Sequence, residues 1–156
     1  MKTRKILLTT DLSEESLRPF DPVAELARRN GASILLLHVV EDLGIAPHGA
    51  PLAPRLHSPG LEEEIAEARK KLEEIRAGLP GDLPVSAEVI PAVDIAQGVS
   101  RFARNEGVDL LALSTHGRTG LRRLVLGSVA EAILRHSEVP VLCFPPPRKG
   151  EPGVGS

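Results

Sequence analysis

The residues between positions 108 and 129 have the types and the spacing that suit the binding of an anion. A short apolar run, Leu110 to Leu113, ends in small and polar residues, and a glycine-bearing basic loop follows it. Gly127 and Ser128 then open a helical pattern. The free N–H groups and the positive dipole end of such a helix attract phosphate. A strand, a loop and a helix N-terminus in this order therefore indicate a candidate phosphate site.

The loop supplies further donors of its own. Gly117 and Gly120 allow a close backbone approach or a positive φ, and Thr119 and Ser128 add hydroxyl groups. The loop also carries three positive charges, those of Arg118, Arg122 and Arg123. Because glycine turns between a strand and a helix are common, the same loop also fits a plain connection that binds nothing.

Apolar runs alternate with helical patterns along the whole chain, and this alternation predicts a parallel sheet with helices on both faces. The predicted strands are Lys5–Thr9, Ser33–Val40, Val85–Ile90, Val108–Ser114 and Val139–Phe144. The predicted helices cover 13–30, 61–78, 94–105 and 129–136. The third strand alternates apolar and polar residues, which is typical of a position near an edge of a sheet.

Prolines and one histidine modify this pattern. Pro19 lies too deep for the first turn of a helix that begins at Ser13, so we expect the first helix to be broken there. Asp21 and Pro22 then predict a second helix start, with Asp21 as the cap. His38 lies within an apolar strand, where a packed and hydrogen-bonded histidine is favoured over a ligand.

Four separated segments resemble the universal stress protein family, in its nucleotide-binding branch. The family has the signature G-x2-G-x9-G-[S/T] after its fourth strand, and Gly117 and Gly127-Ser128 match its second and third elements. Ser114 stands where the family has its first glycine. The other matching segments are T-T-D at 9–11, L-L-H-V at 36–39 and H-S-E-V-P-V-L at 136–142.

This resemblance implies a doubly wound five-stranded parallel sheet of strand order 3-2-1-4-5. It implies binding of ATP or another adenine nucleotide, with Asp11 at the nucleoside, Val39 near the adenine, and Mg²⁺ held through the phosphates. The candidate binding residues are Thr9, Thr10, Asp11, Val39, Leu113, Ser114, His116, Gly117, Arg118, Gly127, Ser128 and Val129. In this strand order the segments after the first and fourth strands meet at one crevice.

Two other functions stay open. A slow ATPase is one, but the sequence has no G-x-x-x-x-G-K-[ST] phosphate loop, and His116 would need a positioned substrate to act as a general base. A nucleotide-free dimeric stress protein is the other. Ser114 favours that alternative, whereas Gly117 and Gly127-Ser128 count against it.

The composition predicts one domain, residues 1–145, and a flexible tail, residues 146–156. The net charge of −2 gives no sign of a nucleic-acid partner, and no apolar run is long enough to cross a membrane. A single cysteine, Cys143, fits a reducing cytoplasm. The segment 41–60, rich in proline and glycine, is either a lid over the site or a disordered insertion.

A homodimer is expected through the last strand, Val139 to Phe144. Both faces of this strand are apolar, and in the implied order it lies at an edge of the sheet, where unpaired N–H and C=O groups can pair with another chain. Pro140 and Pro145 would limit that pairing to a closed dimer.

Overall fold

The computed structural model describes residues 1–44, 57–115 and 126–146. Their core is a five-stranded parallel sheet of order β3-β2-β1-β4-β5, which confirms the expected fold class. The strands are β1 (Lys5–Thr9), β2 (Ser33–Glu41), β3 (Val85–Ala92), β4 (Leu110–Ser114) and β5 (Val141–Phe144). β1 lies at the centre, so the chain winds outward from it in both directions.

Helices cover both faces of the sheet. They are α1 (Glu14–Leu17), α2 (Phe20–Asn30), α3 (Leu61–Ala77), α4 (Ile95–Asn105) and α5 (Ser128–His136). Buried residues of α2 and α3 pack with one face of the strands, and buried residues of α4 and α5 pack with the other. None of the helices in the described ranges is long and apolar enough to cross a membrane.

Burial on both faces explains the continuous apolar sequence of the central strands. In β2, Ile34 and Leu36 pack towards α2 and α3, whereas Leu35 and Leu37 pack towards α4 and α5. Each of these side chains is buried, and burying one such side chain stabilises a fold by about 1.5–3 kcal/mol. A polar residue at any of these positions would therefore weaken one of the two cores.

The first helix is broken at Pro19, as expected. Ser13 caps α1 by accepting a hydrogen bond from the N–H of Ser16, and α1 ends after one turn. The predicted second cap at Asp21 is wrong, because Pro19 itself is the cap residue of α2 and its carbonyl accepts the first helical bond, from Val23 N–H at 3.0 Å. Pro22 falls within the first turn, where a missing N–H costs no helical bond.

The two edge strands differ from their predicted lengths. β3 continues to Ala92, whose carbonyl accepts a hydrogen bond from Asp42 N–H at 2.9 Å. Alternation then turns the nitrogen of Pro91 towards the open edge, where no ladder bond is lost. β5 begins only at Val141, because the N–H of Val139 is bonded to the hydroxyl of Ser137 in a local turn.

Some predictions lie outside the described residues. These are the lid or insertion over positions 45–56, the tail beyond 146, and the loop of positions 116–125, which includes His116, Gly117 and Arg118.

Candidate functional site

A cavity of about 340 Å³ lies at the carboxyl ends of β1 and β4. β1 and β4 are neighbours in the sheet. β2 and β3 lie on the far side of β1, and β5 lies on the far side of β4. In open α/β sheets this reversal of strand order leaves a crevice in which ligands bind. The volume is in the range of small-molecule sites.

The structure brings most of the predicted site residues to this cavity. Its wall includes eight of the twelve, namely Thr9, Thr10, Asp11, Val39, Ser114, Gly127, Ser128 and Val129. Leu113 is not on the wall, because it points into the core beside α4 and α5 and is almost fully buried. The remaining three lie outside the described residues. Their role in binding stays a prediction.

The wall also contains residues that the sequence did not single out. These include Ile95 and Val99 of α4 and Leu37 of β2, which together with the predicted Val39 form an apolar side. Their spacing in the sequence shows which of them share a face, but not that this face lines a cavity. Leu37 and Val39 share one face of a strand, and Ile95 and Val99 are four residues apart on a helix and therefore share one face of it.

The turn after β1 is held in a strained conformation by its own polar side chains. Leu12 has a φ of 71°, in the left-handed region that residues other than glycine rarely adopt. The N–H of Leu12 donates to Thr10 Oγ1 at 2.9 Å, and Thr10 Oγ1 is also 2.7 Å from the buried Ser16 Oγ. Together these bonds favour the left-handed turn and direct the chain out of the sheet at Thr10.

Asp11 is oriented by the residue that caps α1. Its Oδ1 accepts hydrogen bonds from the backbone N–H of Ser13, at 2.9 Å, and from the Ser13 hydroxyl. The cap residue of α1 is Ser13 and not Asp11. Asp11 therefore lies on the cavity wall with its carboxylate fixed by a helix start.

His38 is hydrogen-bonded, as expected for a histidine in an apolar strand. Its Nδ1 lies 2.9 Å from the carbonyl oxygen of Thr10, and the side chain is half-buried. The same residue also contributes to the cavity wall. His38 thus links the end of β2 to the turn that carries Asp11.

Gly127 is required for close packing and not for an unusual backbone angle. It is the cap residue of α5, with φ −57° and ψ 151°, a conformation open to any residue. A Cβ atom at this position would lie 3.0 Å from the carbonyl oxygen of Thr115, to which the Gly127 N–H donates at 3.1 Å. A side chain here would push the start of α5 away from the end of β4.

The start of α5 presents backbone donors without a side-chain cap. α5 begins at Ser128, and no side chain caps it at Gly127. Its first helical bond runs from Glu131 N–H to Gly127 carbonyl, so the N–H groups of Ser128, Val129 and Ala130 precede the ladder. These donors and the helix dipole make this side of the cavity suited to an anion.

The described wall has few fixed charges. Within the described ranges, Asp11 is the only carboxylate on the cavity wall, and no lysine or arginine lies on it. A negatively charged ligand would thus depend on the helix start and on loop arginines such as Arg118. The described residues also contain no cluster of three or more His, Cys, Asp or Glu that could hold a metal ion.

A second carboxylate, Asp42, lies just beyond β2. It is buried and accepts hydrogen bonds from His57 Nδ1 at 2.8 Å, from Ser58 N–H at 3.0 Å and from the Ser58 hydroxyl at 2.9 Å. The bond from His57 is the main cause that lowers the pKa of Asp42, and the bonds from Ser58 lower it further. Asp42 therefore joins the two ends of the segment 45–56.

Comparison with known proteins identifies close relatives over most of the chain. The family model described as the universal stress protein family matches residues 2–145. Universal stress protein MJ0531 of Methanocaldococcus jannaschii is 31% identical over 94% of this chain and 84% of its own length. Universal stress protein A homolog 1 of Coxiella burnetii is 34% identical over 91% of this chain and 96% of its own length.

Solved structures share the fold. The structure of MJ0577 has a TM-score of 0.62 and 25% identity, and the match covers 97% of this chain and 100% of that chain. A universal stress protein in complex with cAMP has a TM-score of 0.57 at 19% identity, and one from Archaeoglobus fulgidus in complex with dAMP has a TM-score of 0.59 at 20% identity. These two matches each cover 92% of this chain and 98% of the other chain.

Proposed function

The chain belongs to the universal stress protein family, and on this basis we propose that it binds ATP in the cavity between β1 and β4 as a regulatory protein. One observation carries the proposal. Residues 9–11 and, about a hundred residues later, the described residues 114–115 and 127–129 meet on the wall of one cavity of small-molecule size. A ligand with a neutral polar group at one end and an anionic group at the other would contact both segments.

The adenine end is assigned to the apolar side of the cavity. Val39, Ile95 and Val99 offer flat apolar contact to a base, and Leu37 extends that surface at the bottom of the crevice. Asp11 lies where the ribose hydroxyls could donate to its carboxylate, which is an acceptor when ionised. The two structures of this fold that hold cAMP and dAMP contain adenine mononucleotides, which is consistent with this end of the ligand.

The phosphates are assigned to the start of α5. Gly127 and Ser128 bring the free N–H groups of the helix to the cavity, and we expect Gly117 and Arg118 of the signature loop to contribute as the family signature implies. Mg²⁺ would be held through the phosphate oxygens, which are its usual ligands at nucleotide sites. Ser114 is small enough to leave space for phosphates where the family has glycine.

A regulatory role is favoured over catalysis. On the described part of the wall, the groups able to accept a proton are Asp11 and His38. Asp11 is oriented by Ser13, and His38 Nδ1 is engaged with the Thr10 carbonyl. Both groups are thus held by neighbouring groups of the protein, whereas a general base has to be directed at a positioned substrate. Any hydrolysis should therefore be slow.

Mass spectrometry of the ligand released from purified protein, followed by calorimetric titration of nucleotide-free protein with ATP and GTP, tests the proposal. ATP binding in the micromolar range or tighter supports it. No binding of ATP to folded protein would contradict it and favour the nucleotide-free alternative.

A homodimer through β5 in the cytoplasm completes the proposal. β5 is an edge strand, and Leu142 on it is 37% exposed. Pairing of two such strands about a two-fold axis would cover Leu142 and use the free backbone groups. Cys143 is a free thiol whose pKa burial raises, so it stays protonated and fits a reducing compartment. The domain is proposed to comprise residues 1–145.

A further inference from the structure

We infer that His38 is a positioning residue of this site: it holds the Thr10 carbonyl so that the backbone N–H of Val39 stays open to the base. The inference rests on the proposed function, since the base is that of the proposed nucleotide. His38 also lines the cavity, but the role assigned to it is exerted through the Thr10 carbonyl and not by contact with the base.

The ladder between β1 and β2 shows where this N–H points. The two strands stay in register up to Thr9 and Leu37, and Thr10 N–H donates to Leu37 carbonyl at 2.9 Å. In a parallel ladder every second residue directs its N–H and C=O to the same neighbour. The backbone N–H and C=O of Val39 therefore point towards β1. The next hydrogen bond of the ladder, or rung, would run from the N–H of Val39 to the carbonyl of Thr10. Among the described residues, no backbone hydrogen bond forms that rung.

The imidazole of His38 takes the place of this rung. Its Nδ1 lies 2.9 Å from the Thr10 oxygen. A carbonyl only accepts, so the ring carries its proton on Nδ1. The side chain of His38 lies on the sheet face of Leu36 and Val40, whereas Val39 packs on the opposite face. The imidazole thus draws the carbonyl towards one face and leaves the crevice on the other face clear.

The turn beyond Thr10 takes the chain out of the sheet, which agrees with this arrangement. Leu12 N–H is bonded to Thr10 Oγ1 and not to β2, so the chain leaves the sheet at the residue whose carbonyl His38 holds. The N–H of Val39 then lies at the apolar side of the cavity, which is lined by Ile95 and Val99. A donor on an apolar wall selects a flat ring with an acceptor nitrogen at its edge, such as N1 of adenine.

Two variants separate this role from a structural one. In His38→Asn, the amide nitrogen takes about the position of Nδ1 and can still donate to Thr10. His38→Leu has similar bulk and no donor. ATP is compared with 1-deaza-ATP, which differs only by the loss of the N1 acceptor. We expect wild type and His38→Asn to prefer ATP about five- to tenfold, as one hydrogen bond allows, and His38→Leu to prefer it less than about twofold.

A measurement without nucleotide makes the two proposals distinguishable. Nuclear magnetic resonance detects scalar coupling across a hydrogen bond, and the coupling between Val39 nitrogen and Thr10 carbonyl carbon should be present in His38→Leu and absent in wild type. That coupling in wild type, or an unchanged ATP preference in His38→Leu, would overturn the positioning role. If wild type binds neither nucleotide, the proposed function and the role towards the base both fail.

Folding of the leucine variant is not essential to the test. His38→Gln places its amide near the position of Nε2 and so also removes the donor to Thr10. It should behave like His38→Leu in both measurements. A lower melting temperature with unchanged nucleotide preference in either variant means that His38 only stabilises the fold.

Discussion

The substitution Ser128→Asp should stabilise the free protein and weaken ATP binding at the same time. Ser128 is the first residue of α5 and is exposed, and no side chain caps the helix. A carboxylate in the first turn interacts favourably with the helix dipole, by about 0.3–1 kcal/mol at an exposed position. For a domain of this size, each kcal/mol raises Tm by roughly 2–4 °C. The free variant should therefore melt about 1–3 °C above wild type.

The same carboxylate would repel phosphates bound at the start of α5. At about 4 Å, two unit charges interact by about 1 kcal/mol in bulk water and about 4 kcal/mol near a protein surface. Because Ser128 is exposed, the lower half of this range applies, about 1–2.5 kcal/mol, and ATP affinity should fall roughly 5- to 70-fold. The loss should shrink as the salt concentration rises.

Thermal unfolding and calorimetry measure the two effects together. At an ATP concentration one hundred times the wild-type Kd, binding stabilises wild type by about 2.7 kcal/mol, and a tenfold weaker variant by about 1.4 kcal/mol. The rise in Tm caused by ATP should thus be about halved. Ser86→Asp adds the same charge at an exposed position of edge strand β3 and should leave ATP affinity within about twofold of wild type.

Two results would refute this reasoning. If Ser128→Asp raises Tm but leaves ATP affinity unchanged, the phosphates do not lie at the start of α5. If Ser86→Asp weakens ATP binding as much as Ser128→Asp, the effect comes from net charge and not from position.

Three further predictions concern the neighbouring features. Ser114→Gly should change ATP affinity by less than about tenfold, or about 1.4 kcal/mol; a much larger calorimetric gain would mean that the native serine blocks the site. Leu142→Lys should convert a dimer into a monomer in light scattering whereas Val93→Lys, at the other edge and also exposed, should not; a monomeric wild type at micromolar concentration rejects the dimer. Asp42→Asn should lower Tm at pH 7. Because the folded-state pKa of Asp42 is lowered, the difference in Tm between wild type and the variant should narrow as pH falls below about 4. A difference in Tm that stays constant down to pH 2 would contradict this.

The sequence predicts the sheet well because its central strands are buried on both faces. The bounds of β1 are predicted correctly, β2 extends one residue beyond its prediction, to Glu41, and β4 begins two residues later than predicted, at Leu110. Edge positions carry a weaker signal. There the strand ends depend on single hydrogen bonds, such as that from Asp42 N–H to the Ala92 carbonyl. The order of apolar and polar residues in the sequence does not reveal such a bond.

The polar half of the cavity wall could be predicted, whereas most of its apolar half could not. Thr10, Asp11 and Ser128 are polar residues at the ends of apolar runs, and such residues are noticeable in a sequence. Ile95 and Val99 look like ordinary core residues of an amphipathic helix. Only the packing of α4 against β2 distinguishes the first half of that stripe, which lines the cavity, from residues further along the helix that lie only in the core, for example Ala103.

Two backbone features at the site show why spacing alone does not reveal its geometry. Leu12 has the left-handed angle that would be expected of glycine, and this costs of order 1–3 kcal/mol. Gly127 has an ordinary angle and is a glycine only because Thr115 oxygen lies close. A sequence reader would assign the strain to Gly127 and none to Leu12. The strain at Leu12 persists because Thr10 Oγ1 accepts its N–H while Ser13 fixes Asp11. The cost is therefore located at the turn that carries Asp11 on the cavity wall.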